Sequence, residues 1–261
     1  MAHFQYLSVN GVRLGYLDFG GPGRPLLALH GLFGRATMFV ELAEALQPEW
    51  RVVALDQRGH GWSDHPDDYS REAYINDAAT AVRELGLAPA VIYGHSLGGV
   101  NAYQLAARHA DLVRALIIED VGAVIDDDIR WTLEWPRRFP SLLAMREYLG
   151  RTGMKGDAYF TESAIEYADG WGFRFTTEEL VRSQESLNGD HWQDWLGSSC
   201  PALLMHGGRS WVISPEHARE MAERRPRTER IEFPRLKHSI YQGDLKGLLK
   251  AVRAFLLRLE A

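Results

Sequence analysis

The chain has 261 residues, 46% of them hydrophobic and 25% charged, with a formal net charge of -6 and a single cysteine, Cys200. An acidic balance gives no electrostatic footprint for nucleic acid, one cysteine forms no intramolecular disulfide, and every apolar run is far shorter than the roughly 20 residues a membrane helix needs. Length and composition fit one α/β core with an insertion and small-molecule partners, and the N-terminus lacks the charged and apolar segments of a signal peptide, so the expected compartment is the cytoplasm.

In chain order, His3 to Val9 and Val12 to Phe19, joined by Asn10-Gly11, read as a hairpin with a two-residue turn, so the sheet is expected to begin antiparallel. After the glycines at 20–23, short apolar strands alternate with amphipathic helices. They are strand Pro25 to His30, helix Ala36 to Leu46, strand Arg51 to Leu55, helix Arg71 to Leu85, strand Ala90 to Tyr93, helix Val100 to Arg108 and strand Val113 to Glu119. This rhythm is the signature of a mostly parallel sheet covered on both faces. From Gly122 to Ser199 no strand is evident, and helical stretches rich in large aromatics read as a helical insertion. Alternation resumes with strand Ala202 to Met205, helix Pro215 to Arg224, strand Arg230 to Phe233 and a closing helix from Leu245 to Leu259. The expected division is core over 1–121, helical cap over 122–199 and core again over 200–261. Most cap rings serve the insertion's own small core, while a minority, with Trp131 and Trp135 as candidates, line a pocket against the sheet.

The stretch Gly94-His95-Ser96-Leu97-Gly98 sits where an apolar strand hands over to a helix, and it has the G-x-S-x-G pattern of a nucleophile elbow. Such a turn projects the central hydroxyl, and flanking glycines let backbone approach without a Cβ clash. It also aims the Leu97 amide at charge forming beside the hydroxyl. A serine needs a base, and the base needs an acid to hold its tautomer. Of the ten histidines, His238 follows the last strand in a loop at the carboxyl edge of the sheet, after the serine in chain order, and is the expected base. His30, His60 and His95 suit backbone packing better, and His206 could lie near the site without being the base. A second oxyanion donor is expected from the turn His30-Gly31-Leu32-Phe33-Gly34, most plausibly the Leu32 amide. Asp56 and Arg58 are expected to brace loops, and no histidine spacing suggests a metal, so no cofactor is expected.

Taken together in this order, His30-Gly31, the D-x-R-G-x-G-x-S run from Asp56 to Ser63, Gly94 to Gly98 and the late His238 resemble the α/β-hydrolase family over essentially the whole chain. The resemblance implies an eight-stranded sheet with strand two antiparallel, a cap inserted after strand six, Ser96 as nucleophile and His238 as base. It argues against haloalkane dehalogenases and epoxide hydrolases, which carry aspartate where Ser96 stands.

One departure matters. The usual family acid follows strand seven, yet here that turn reads Gly207-Gly208-Arg209-Ser210-Trp211-Val212, with serine where aspartate is expected. A subset of the family carries the acid after strand six, where this chain offers Glu119-Asp120-Val121. Asp120 falls at the subset's position and is the expected acid, with Glu119 as the alternative. Together, the turn His30-Gly31-Leu32-Phe33-Gly34, the acid after strand six and the Gly-Gly-x-Ser turn resemble small bacterial carboxylesterases active on short acyl esters and thioesters.

The expected function is therefore a serine esterase using Ser96, His238 and Asp120, the amides of Leu32 and Leu97, and pocket candidates Phe33, His95, Trp131, Trp135 and Trp211. A lactonase or carbon–carbon bond hydrolase would use the same triad, a cofactor-independent perhydrolase or lyase would share the fold, and a non-catalytic receptor would keep the pocket alone. Substrate and oligomeric state are left open by the sequence.

Overall fold

The computed structural model describes residues 3–152 and 157–259; Met1 and Ala2, at the start of the N-terminal segment read for a signal peptide, lie outside the described residues, as do 153–156 of the insertion. Eight strands form the main sheet: β1 (His3–Val9), β2 (Val12–Asp18), β3 (Arg24–Leu29), β4 (Trp50–Leu55), β5 (Ala90–His95), β6 (Val113–Glu119), β7 (Ala202–Gly207) and β8 (Thr228–Phe233). Their order across the sheet is β1-β2-β4-β3-β5-β6-β7-β8. β2 runs antiparallel to both β1 and β4, and every other pairing is parallel. The β1–β2 turn places Asn10 at φ 49° and Gly11 at φ 83°, the left-handed pair that a tight hairpin demands.

The central strands are buried on both faces because helices cover each side, which is why their sequences read as unbroken apolar runs. Alternate residues serve different cores. Leu27 and Leu29 of β3 and Ile92 of β5 join the core shared with helices Arg71–Glu84 and Leu97–Arg108, whereas Leu26, Ala28, Val91 and Tyr93 face the core shared with helices Val40–Leu46 and Leu245–Arg258.

Strand order sets the site. From β3 the chain moves to β4 on one side, and from β5 it moves to β6 on the other, so the loops leaving β3 and β5 diverge at a topological switch point. Open α/β sheets bind ligands at such a crevice, beyond the carboxyl ends of the strands. Leu29 pairs with Gly94 across it, which brings the turn after β3 beside Ser96.

The segment between β6 and β7 corrects the expectation of a purely helical cap. It carries helices Leu142–Arg151, Thr177–Leu187 and Trp192–Leu196, but also an antiparallel hairpin of Ala164–Tyr167 with Gly170–Phe173, and a two-residue pairing of Val124–Ile125 with Gly189–Asp190. The hairpin strands are too short for an alternating pattern to emerge. Their turn depends on Gly170 at φ 128°, and Trp171 exchanges backbone hydrogen bonds with the distant Phe139. No described helix is long and apolar enough to cross a membrane.

Candidate active site

Ser96 occupies the sharp turn between β5 and the helix Leu97–Arg108, with φ 51° and ψ -120°. A non-glycine residue in this region is strained, and the surroundings explain how it is held. The Ser96 amide donates to the Glu119 carbonyl at 3.0 Å, and the Ser96 carbonyl accepts from the Gly99 amide at 2.8 Å. Its side chain makes no capping bond to the helix, which leaves the half-buried hydroxyl for other work. The flanking glycines are a steric necessity: a Cβ on Gly94 would lie 2.2 Å from the Gly98 carbonyl oxygen, and one on Gly98 would lie 2.1 Å from that of Leu29.

Asp120 and His238 meet. His238 Nδ1 donates to Asp120 Oδ2 at 2.7 Å, with the carboxylate fully buried and the imidazole nearly so. Asp120 itself adopts φ 54°, a region Asp tolerates better than most residues, and its amide donates to the Met205 carbonyl on the neighbouring strand. The carboxylate has two further donors, the Gly207 amide on Oδ1 at 2.7 Å and the Ser210 hydroxyl on Oδ2 at 2.5 Å. Hydrogen bonds of this kind fix a buried carboxyl group in direction. With Nδ1 committed to Asp120, the tautomer leaves Nε2 as the acceptor on the other side of the ring.

Glu119 does different work from its neighbour. Oε1 accepts the amides of Ile240 and Tyr241 at 2.9 and 3.1 Å, and Oε2 accepts the Tyr93 hydroxyl at 2.5 Å. It therefore holds the backbone of the loop that carries His238 rather than bonding the ring. Burial pushes its pKa up to about 7, against the opposing pull of these donors.

The turn after β3 lies against the elbow. A Cβ on Gly31 would sit 2.9 Å from Ser96 Cβ and 2.9 Å from His95 Nδ1. The Gly34 amide closes the turn on the Gly31 carbonyl at 3.1 Å, with Phe33 at φ 69° between them. Leu32 thus stands beside Ser96, and Leu97, as the first residue of its helix, has an amide with no intrahelical acceptor.

His30, His60 and His206 lie buried in the packing around the site. His30 accepts the Gln57 amide on Nε2 at 3.0 Å and donates from Nδ1 to the Gly31 carbonyl at 2.7 Å, while burial drives its pKa well below the ordinary value. His206 accepts from Arg230 at 2.8 Å. Burial brings His60 down to about 4. Asp56 accepts the amides of Ala36 and Trp62, and Arg58 forms a buried two-bond pair with Asp77, so both tie loops together.

The pocket candidates separate. The His95 ring lies 4.6 Å from that of His238, and Trp211, 69% exposed, lies 5.4 Å from the same ring. Phe33 points into an aromatic cluster with Trp135, Phe160 and Phe175, at centroid distances of 5.9, 5.1 and 5.5 Å. Trp135 therefore reaches the turn through Phe33, and the exposed Trp131 joins only through Trp135 at 5.7 Å. Two cap residues that the sequence did not single out for the site contact the turn directly: the Tyr159 hydroxyl donates to the Leu32 carbonyl, and the Ser163 hydroxyl to that of Phe33. They are 127 and 130 residues away in the chain, and no local motif announces them.

A family model described as alpha/beta hydrolase fold matches residues 24–149. Among curated relatives, 2-(acetamidomethylene)succinate hydrolase of Mesorhizobium japonicum is 28% identical over 248 residues, covering 90% of this chain and 89% of the relative. A mouse sn-1-specific diacylglycerol lipase is also 28% identical, covering 88% of this chain and 80% of the relative. Among solved structures, an E-2-(acetamidomethylene)succinate hydrolase superposes with a TM-score of 0.87 at 24% identity, covering 98% of this chain and 99% of the other, a likeness of fold.

Proposed function

We propose that this chain, which has the α/β-hydrolase fold, is a serine hydrolase of carboxylic esters, thioesters included, acting through Ser96, His238 and Asp120. The observation that carries this reading is the 2.7 Å bond from His238 Nδ1 to the fully buried Asp120 carboxylate, set at the same sheet edge as the strained Ser96 turn. A buried Asp–His pair and a serine hydroxyl presented at one sheet edge are the parts that activate such a nucleophile.

In this mechanism Ser96 Oγ attacks the acyl carbonyl carbon while its proton passes to His238 Nε2. The imidazolium is stabilised by Asp120, and the carbonyl oxygen, now negative, is received by the amides of Leu32 and Leu97. Collapse breaks the bond to the alcohol or thiol, which leaves with the proton from His238. Water, deprotonated by His238, then attacks the acyl-serine, and a second collapse releases the carboxylic acid and restores Ser96.

Names among the relatives, a diacylglycerol lipase and an acetamidomethylene succinate hydrolase, support hydrolytic chemistry and leave the acyl group open. Trp211 beside His238 favours substrates with an apolar or aromatic group near the imidazole. The test is a panel of short p-nitrophenyl esters, thioesters and lactones with a fluorophosphonate probe alongside. Wild type should be labelled and turn over esters; Ser96→Ala should be unlabelled with turnover down by about 10³ or more. Undiminished ester turnover in that variant would overturn the assignment.

A further inference from the structure

We propose that the cap segment 159–163 is a positioning device for the oxyanion turn, in which Tyr159 and Ser163 hold the Leu32 amide in register with Ser96 by hydrogen bonds to the carbonyls of Leu32 and Phe33. The proposal rests on the serine-hydrolase reading above, where the Leu32 amide is one of two oxyanion donors.

Three successive peptide planes make up the turn, and each is anchored differently. In the first, the Gly31 carbonyl takes the His30 Nδ1 proton at 2.7 Å and the Gly34 amide at 3.1 Å. Because a trans peptide sets its N–H opposite its C=O, these bonds give the Leu32 amide its direction. His30 serves as this donor because its Nε2 is occupied by the Gln57 amide. The core therefore supplies the first anchor.

The second and third planes are anchored by the cap. Tyr159 donates to the Leu32 carbonyl and Ser163 to the Phe33 carbonyl, from side chains that are buried. Between those carbonyls Phe33 keeps φ at 69°, a conformation that is strained for a non-glycine residue and persists only where neighbours enforce it. Relaxation of Phe33 would rotate both flanking planes, and the second of these carries the Gly34 amide that anchors the Gly31 carbonyl, so the plane of the Leu32 amide would lose one of its two bonds. The Phe33 ring is held too, among Trp135, Phe160 and Phe175 of the cap. The same segment also reaches the loop after His238, since the Tyr241 hydroxyl donates to Glu162 at 3.0 Å. One short piece of the insertion thus grips the two loops whose relative position the chemistry requires. In consequence the oxyanion turn is held from two sides, by the core at Gly31 and by the cap at Leu32 and Phe33.

Tyr159→Phe and Ser163→Ala each delete one hydroxyl and keep the packing. The test uses wild type and both variants, with fluorophosphonate labelling, steady-state kinetics on a p-nitrophenyl ester, and inhibition by an aryl trifluoromethyl ketone, whose hemiketal oxygen sits where the oxyanion forms. Each variant should lose about 10-fold in kcat with KM within about 2-fold, and the inhibition constant should rise in parallel. Labelled variants with unchanged kcat and unchanged inhibition would overturn the clamp alone, even if their melting temperatures fell. Failure of the wild type to label would overturn the hydrolase reading and the clamp with it.

Discussion

Ser210 donates its hydroxyl proton to Asp120 Oδ2 at 2.5 Å, the oxygen that also receives the His238 Nδ1 proton at 2.7 Å. The position after β7 where the family resemblance calls for an acid is thus filled by a donor to an acid on the adjacent strand. β6 and β7 are parallel neighbours in which Met205 pairs with Glu119, so the ends of both strands open onto the same histidine. A carboxylate one strand over still bonds His238, and the position after β7 supports it.

Asp120→Asn should lower kcat by about 10⁴. The Gly207 amide donates to Oδ1, so the amide oxygen of an asparagine would settle there and its NH₂ would take the place of Oδ2. That NH₂ faces His238 Nδ1 as a donor, which forces the proton onto Nε2, the atom that must accept from Ser96. Turnover of p-nitrophenyl acetate measures the loss, and a fall of less than about 10-fold would remove Asp120 from the triad.

Ser210→Ala tests the support separately. Asp120 would keep the Gly207 amide and His238 but lose its shortest donor, leaving a buried carboxylate less well satisfied, at a cost of about 1–3 kcal/mol in stability. Catalysis should suffer less, by about 3- to 10-fold in kcat, because the carboxylate and imidazole remain paired. Chemical denaturation and steady-state kinetics separate the two effects.

Glu119 gives a pH-dependent signature in stability. Its pKa in the folded protein is raised to about 7 by burial, above the ordinary glutamate value of 4.5, so between those values the folded state holds a proton that the unfolded chain has released. The sign follows from linkage: this contribution is full below about 4.5 and is lost as pH rises through 7. Glu119→Gln resembles the protonated form and can still offer an oxygen to the Ile240 and Tyr241 amides. Melts at pH 5 and pH 8 should therefore show the variant gaining on wild type at the higher pH, with kcat changed by less than about 10-fold. A gap that stays constant with pH, or a loss as deep as that of Asp120→Asn, would count against a loop-holding role.

What the sequence made legible follows from the range of the interactions. The elbow is written locally, because the contact between Gly94 and Gly98 spans four residues and admits no side chain. Strands β3, β5 and β6 are legible since burial on both faces leaves their central residues apolar. The helix expected from Ala36 begins as a tight turn over Ala36–Phe39 before Val40–Leu46, a distinction periodicity does not make. The cap hairpin escaped because four-residue strands held by Phe139 and a positive-φ glycine carry no period of their own. Tyr159 and Ser163 escaped for a deeper reason. A hydroxyl meets a backbone carbonyl more than a hundred residues away, and the carbonyl is the same in every amino acid, so neither end leaves a mark in the sequence.

Gly31→Ala should fold and lose activity through a collision at the nucleophile. Gly31 does not require a positive φ, so the cost is one of space: the new methyl would lie 2.9 Å from Ser96 Cβ, 2.9 Å from His95 Nδ1 and 2.7 Å from the Tyr159 hydroxyl. The first two belong to the strained turn and have little freedom, whereas the hydroxyl is the end of a side chain. Relief therefore comes most easily by displacing Tyr159, which frees the Leu32 carbonyl that it holds. A fall of about 100-fold in kcat is expected, from the strain at Ser96 together with the loss of the cap anchor. Combining Gly31→Ala with Tyr159→Phe removes the nearest obstruction, so the double variant should lose less than the product of the two single losses. Contacting residues couple in this way by about 0.5–3 kcal/mol, and a double-mutant cycle in kcat/KM reads it directly. Strict additivity would mean that the methyl and the Tyr159 hydroxyl do not compete for the same space.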